Sequence, residues 1–430
     1  MPAIALHNRD QLYTQLHRMM HWAIQGMKEE PDRRTTQTLE HLAYGLLLKG
    51  TTRLNHLAQF LLPLRKAQTA HHVETALSTA LQKAHYAETD LFHAYSCAAY
   101  AQVASKALET YRRHNIVIID PTTYEKHTRP GKRGRSMQYP TRLKDLQYDR
   151  YPQGYVDVWA GVLVKHRRWL PLARERFSSQ HPDQLSQNQV EEAVLWNAIG
   201  CVPKRVPILA VGDRGLGRKG MFTWLLERHC DGLFRMRRDI HVTYHGQWRN
   251  VLDVAHSLKP WGPATWREGS KKPIMGQVVA FRAMLTEDAK AGPEITFVVL
   301  FPDHGTDPLI LGTTLTVDTL AEAREVIHVY EKRWVIETAF ETLKGSFGLE
   351  KFMVRHWRAT ERLLNLVAMA FALLILLLES TQKNIVTLLA QVVRLLKAWA
   401  AFKTLTLGKF REALALDFAA DPHAWLALAC

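Results

Sequence analysis

The sequence predicts an α/β protein, with a mixed sheet flanked by helices, a strand-rich segment inserted into it, and helical regions at both ends. Three observations carry that expectation. Through the middle of the chain, apolar runs too continuous for half-exposed strands, "IVII" (Ile116–Ile119) and "VPILAVG" (Val206–Gly212), alternate with helical stretches. From about Asp239 to Leu315 the chain turns β-flavoured, in short runs divided by Gly, Pro and charge-rich loops. Residues 1–110, and the chain after Asp318, read as helix.

Taken in order, "RTTQTLEHLAYGLLLKGTTRLNHLAQFLLPL" gives an apolar-periodic helix, a stop at Gly50 and a second helix from near Thr52. Helix–glycine–helix with scattered basic residues suits either a helix-turn-helix DNA reader or a plain bundle. The first sheet strand is Ile116–Ile119, ended by Asp120 and Pro121. Strands "YVDVWAGVLVK" and "RRWLPLARERF", the helix "QNQVEEAVLWNAIG", the strand "VPILAVG", the helix "KGMFTWLLERHC" and the strand "GLFRMRR" follow. That order is α/β with a mixed sheet. Near the end, the apolar run Leu363–Leu378 falls short of the roughly 20 residues that cross a bilayer. Arg362 and Glu379 close it, so a buried helix is expected.

With 430 residues the chain has room for two or three domains. Its 56 Lys+Arg against 41 Asp+Glu give +15, a surplus suited to a polyanion such as nucleic acid or an anionic surface. Cys97, Cys201, Cys230 and Cys430 are far apart and in no C-x-x-C pair, which argues against a disulfide framework and a zinc cluster and fits a reducing cytoplasm. The start, "MPAIALHNRDQLYTQL", lacks the pattern of a signal peptide.

Two motifs compete for the chemistry. Gly215-Leu216-Gly217-Arg218-Lys219-Gly220 satisfies G-x-G-x-x-G, the dinucleotide spacing, with Asp213 just before it and Asp239 at the distance of a ribose-binding acid. The other lies in "VYEKRWVIETAFETLKGSFGLEKF". On one helix, Tyr330, Arg333, Glu337, Glu341 and Lys344 fall within an arc of about 80°. A solvated face with an Arg333–Glu337 pair explains most of this stripe, but Glu337 and Glu341 repel across one turn unless a cation lies between them. A divalent ion or the flanking Arg and Lys would serve equally.

The spacing Tyr330-x2-Arg333-x3-Glu337-x6-Lys344 is more specific. On it the chain resembles the bacterial insertion-sequence DDE transposases, whose ribonuclease H-like core is interrupted by a β-rich insertion. The resemblance implies a first aspartate on the first core strand, matched by Asp120 in "VIID", and a second after a later strand, matched by Asp213 in "DRG". It implies a glutamate on a helix beyond the insertion, matched by Glu337. The glycines then become the turn behind Asp213, and no nucleotide cofactor is expected.

That resemblance divides the chain into a helical DNA-binding region (1–110), the first part of the core (111–238), the β-rich insertion (239–316), the core helix with the catalytic glutamate (317–360) and a helical C-terminal region (361–430). It implies two Mg²⁺ ions, replaceable by Mn²⁺, on Asp120, Asp213 and Glu337. Tyr330, Arg333 and Lys344 would grip phosphates near the cleaved end, and Arg214, Arg218 and Lys219 would face phosphate. A basic loop with Lys126, Arg129, Lys132, Arg133 and Arg135 would track the duplex or serve as a solvated hairpin. Trp248, Trp261 and Trp266 are candidates to stack on a flipped base, or simply pack in the sheet. The implied partners are double-stranded DNA, as terminal inverted repeats and target, and a second copy in a synaptic dimer; no membrane is expected, and the setting is the bacterial cytoplasm at the nucleoid. A ribonuclease H-like nuclease without strand transfer and an inactive DNA-binding relative are the alternatives.

Overall fold

The computed structural model describes residues 31–65, 69–83, 88–103, 107–125, 137–143, 152–183, 185–269, 271–287, 290–304 and 307–379, with residues 14, 17–21, 23–25, 27, 411 and 414. Four of its helices precede the sheet: α1 (Arg33–Lys49), α2 (Leu54–Leu61), α3 (Ala70–Lys83) and α4 (Glu88–Gln102). Asp32 caps α1 by accepting from the Thr35 amide at 2.9 Å. Gly50 ends it with φ at 61°, the left-handed conformation that favours glycine. Every α1 residue from Thr38 to Leu48 is buried, so this helix forms the centre of its layer. The second helix starts at Leu54, later than its sequence suggests, because the Thr52 hydroxyl donates to the Gly348 carbonyl at 2.5 Å. That bond ties the α1–α2 turn to the far end of the chain.

The strands β1 (Thr110–Tyr111), β2 (His114–Glu125), β3 (Thr141–Arg142), β4 (Gln153–Val164) and β5 (Arg168–Phe177) come next. Then follow α5 (Gln187–Gly200), β6 (Ile208–Gly212), α6 (Lys219–Leu226) and β7 (Asp231–Arg235). The β-flavoured stretch supplies β8 (His241–Tyr244), β9 (Gln247–Asn250), a short α7 (Val251–His256), β10 (Gly262–Trp266), β11 (Ile274–Glu287), β12 (Lys290–Pro302) and β13 (Leu309–Thr313). The described chain closes with α8 (Leu320–Glu331), a 3₁₀ turn (Lys332–Trp334), α9 (Val335–Ser346) and α10 (Trp357–Glu379).

All these strands join one mixed sheet, ordered β3-β4-β2-β6-β7-β13-β12-β11-β8-β9, with β1 on β2, β10 on β11 and β5 on β4. β2, β6 and β7 run parallel, and the remaining pairs are antiparallel. The strand-rich segment is therefore hydrogen-bonded to the middle of the sheet through β13 against β7. β2 does not stop at Asp120 as its sequence suggests but continues through Pro121 to Glu125. β6 ends opposite Ile119, so beyond that point β2 is paired along one edge by β4 alone, and a proline is tolerated where a ladder neighbour is missing.

The apolar run Leu363–Leu378 lies in α10, which is long and apolar enough to cross a bilayer, yet 94% of its most apolar window is buried within the protein. It packs against α1, α3, α4 and β5. A buried ionic cluster holds it to the sheet. Arg174 and Arg176 on β5 meet Asp157 on β4 at 2.7 and 2.8 Å and Glu361 on α10 at 2.9 and 3.3 Å. Arg174 also donates to Asn365 at 3.0 Å, and Arg176 lies over the Tyr155 ring at 4.3 Å. Burial alone would lift the Asp157 carboxyl, but the two guanidiniums outweigh it and hold it below its ordinary range.

Candidate active site

Two neighbouring parallel strands create the site. Ile119 of β2 is in register with Gly212 of β6, so the next residue on each, Asp120 and Asp213, leaves the same carboxyl end of the sheet one strand apart. That end is where parallel sheets leave a crevice for ligands. After Asp213 the chain turns tightly, with the Leu216 amide donating to the Asp213 carbonyl at 3.0 Å and the Arg218 amide to the Leu216 carbonyl at 2.8 Å. Of the three glycines in this turn, packing demands only Gly217, where a Cβ would come 2.4 Å from the Arg235 carbonyl oxygen. Gly215 and Gly220 stand in open space, and none of the three has a positive φ. The glycine spacing is thus a turn fitted under the end of β7.

Glu337 arrives from the helical side. A capping box of Thr319 and Glu322 starts α8, and the chain tightens into 3₁₀ at Lys332–Trp334 before α9, which packs on β2 and β5. The expected polar stripe is therefore not on one continuous helix. Its first half is also not solvated: Tyr330 is 4% and Arg333 7% exposed. The expected Arg333–Glu337 pair forms, at 2.7 Å, but faces inward, and the same guanidinium reaches Asp120 at 3.6 Å. Glu341, one turn on, is exposed.

The electrostatics follow from that crowding. Burial, then the charges of Asp213 and Glu337, raise Asp120 to about 7, against the pull of Arg333. Burial likewise raises Glu337; Arg333 opposes this, while Asp213 and Glu268 add to it. Burial works against the charge of Arg333, but Tyr330, Asp120, Asp213 and Glu337 outweigh it and hold the guanidinium protonated. Burial also pushes the Tyr330 hydroxyl up to about 12. With all three carboxylates ionised, the set around Arg333 carries a net charge of −2 (three acids minus one arginine), and the upward shifts of Asp120 and Glu337 express the cost of that charge.

The other expected residues are placed less uniformly. Lys344 donates to the Thr123 carbonyl at 3.1 Å and pairs with Glu350 at 2.9 Å, bridging α9 to the strand that carries Asp120. Arg214 is exposed beside Asp213. Arg218 points back to Glu191 of α5 at 2.6 Å, which draws its charge away from the crevice. The stem of Lys219 lies against Gly292 of β12, where a Cβ would come 2.6 Å from its Cγ. Lys126, Arg129, Lys132, Arg133 and Arg135 lie outside the described residues.

The tryptophans separate clearly. Trp248 is exposed and stacks on His241 at 4.0 Å, and Trp261 is 37% exposed. Trp266 is buried, with Arg235 over its ring at 5.6 Å, and lines a pocket shared with Arg235, Glu268, Tyr330, Arg333 and Trp334. Sequence reasoning missed Arg235 and Glu268. Arg235 is the last residue of β7, beside β6, at the same carboxyl end as the acids. Its position after "GLF" was the available signal, but only the strand order makes it a neighbour.

Residues 186–373 match a family model described as a transposase DDE domain. The matched stretch contains Asp213 and Glu337 and begins after Asp120. Among curated proteins nothing matches the chain. Among solved structures, the chain is similar to a piggyBac transposase synaptic complex with hairpin DNA, at 9% identity and a TM-score of 0.46, over 96% of this chain and 79% of that one.

Proposed function

We propose that this protein is a metal-dependent DDE transposase that cleaves DNA at the ends of an insertion sequence and transfers the freed strand to a target. The observation that carries the reading is that Asp120 and Asp213 leave neighbouring parallel strands in register, while Arg333 pairs with both Asp120 and Glu337. Their donor set fits magnesium, because carboxylate oxygens are the hard ligands that Mg²⁺ and Mn²⁺ prefer, and the −2 residual charge calls for divalent cations. When bound, such ions relieve charge on the phosphate and assist both the attacking and the leaving oxygen.

The chain's own groups have separate tasks in this reading. Asp120, deepest of the three, must lose its proton before it can hold a cation, and the nearby positive charge of Arg333 favours that loss. Arg333 and Tyr330 form the wall on which a phosphate is oriented, and Lys344 sets the distance between α9 and β2. Exposed Arg214 meets the backbone at the rim. The sheet around β2, β6 and β7 serves as a ribonuclease H-like core, residues 239–316 as its insertion and residues 1–110 as the end-binding region. Two copies, each with one DNA end, complete the assembly at the bacterial nucleoid.

The test uses full-length protein and a duplex made from the inverted repeat flanking the gene. Asp213→Ala is expected to lower Mg²⁺-dependent cleavage on the order of 10³-fold, while end binding changes by less than about threefold. Cleavage at the normal rate in that variant would sink the assignment. A joining assay with supercoiled target then separates strand transfer from simple hydrolysis.

A further inference from the structure

The cysteines are expected to stay apart, but the fold overturns this for two of them. Cys97 lies on α4, one turn after His93, and Cys201 caps the end of α5. Their sulfurs are 3.0 Å apart, with His93 Nε2 3.6 Å from Cys97 and His93 Nδ1 3.7 Å from Cys201. Gly200 makes room for this approach, since a Cβ there would come 3.3 Å from the imidazole. The C-terminus of one helix is thus fitted against two side chains of another. Cys201 is buried and Cys97 half-buried, so the group is close to solvent without being open to it.

We propose that His93, Cys97 and Cys201 form a site for one thiophilic divalent cation, best satisfied by Zn²⁺. Thiolate and imidazole donors are the zinc set, and His93 and Cys97, four residues apart on a helix, share a face. A tetrahedral zinc holds its sulfurs about 3.8 Å apart, so small rotations of the two thiol side chains admit the ion. Two thiols release two protons to solvent and the neutral imidazole gives a lone pair, so Zn²⁺ with two thiolates is a neutral group suited to a half-buried site. Water, or Asp90 one turn before His93, completes the tetrahedron.

The site is independent of the carboxylate crevice, whose oxygen donors select a different class of ion. Its place in the fold gives it a structural consequence. It fastens α4 to α5, and α5 carries the Glu191 that holds Arg218 in the turn after Asp213.

Cobalt(II) titration of reduced, metal-free, full-length protein tests this. A near-ultraviolet thiolate-to-cobalt charge-transfer band is expected to saturate at one equivalent and to be removed by Zn²⁺. Cys97→Ser and Cys201→Ser should each abolish the band and weaken zinc binding at least tenfold, whereas Asp213→Ala should keep it. A second measurement needs no variant: Zn²⁺ should slow alkylation of Cys97 and Cys201 in the wild-type chain, read by peptide mass. A missing band in reduced wild type, alkylation indifferent to zinc, or a Cys97–Cys201 disulfide with no zinc uptake after reduction would each overturn the proposal.

Discussion

Two clusters of arginine and carboxylate lie on this sheet, and they use the same parts to opposite ends. Around α10, Asp157 and Glu361 face Arg174 and Arg176, so the charges cancel and the side chains are almost fully buried. At the crevice, Asp120, Asp213 and Glu337 share Arg333, and the charges do not cancel. Asp157 sits below its ordinary range and Asp120 rises to about 7, although both are carboxylates on adjacent strands under strong burial. Two guanidiniums pull on Asp157 and one on Asp120, while burial lifts Glu361 to about 7 even within the balanced cluster. The balanced cluster holds α10 to the sheet, and the unbalanced one is where the proposed function puts its cations.

The largest expected effect comes from unbalancing the first cluster. Arg174→Met leaves Asp157 and Glu361 short of a buried partner and should destabilise by about 3–5 kcal/mol in urea unfolding. Adding Asp157→Leu should recover a substantial part of that loss; a double variant as weak as the single one would show that packing, not charge, dominates there.

Next comes Asp120→Asn at the crevice, with the opposite sign. Well below its ordinary value of 3.8 the Asp120 carboxyl is protonated in folded and unfolded chains alike and costs nothing. Between there and about 7 the folded chain keeps a proton that the unfolded chain gives up, so stability falls as pH rises through that window. Asp120→Asn should therefore stabilise the metal-free protein on the order of 2–4 kcal/mol at pH 8 and by far less at pH 4. Equal effects at both values would refute the charge argument.

In the proposed function the same proton sets the pH dependence of cation binding. Below about pH 7, Mg²⁺ affinity measured by calorimetry should fall by up to about tenfold per pH unit, because Asp120 must be deprotonated first. The smallest effect belongs to an exposed pair. Arg238 meets Asp307 at 2.7 Å with both side chains about half exposed, and Arg238→Ala should change stability by less than about 0.5 kcal/mol.

Much of this architecture was readable in advance. Continuous apolar runs marked β2 and β6, and the apolar block before Glu379 marked a buried helix, because burial on all sides leaves a composition that exposure does not. That Asp213 follows a buried strand and that Glu337 lies on a helix was legible by position, each beside a run whose structure is locally specified. The inward face of Tyr330 and Arg333 was not: periodicity groups residues on one side of a helix but does not say what that side meets. Arg218 shows the same limit from the other direction, since its place beside Asp213 suggested phosphate and its geometry chose Glu191.

Taken alone, the order of residues determined which segments are strand or helix, where turns must fall, and which side chains carry charge, because these depend on neighbours a few positions away. Only the tertiary structure decided that Ile119 lies level with Gly212, that Arg333 pairs with both Asp120 and Glu337, and that Cys97 lies against Cys201. Those outcomes depend on strand order and helix docking. They arise from burial and hydrogen-bond satisfaction across the whole chain, which no local stretch encodes by itself.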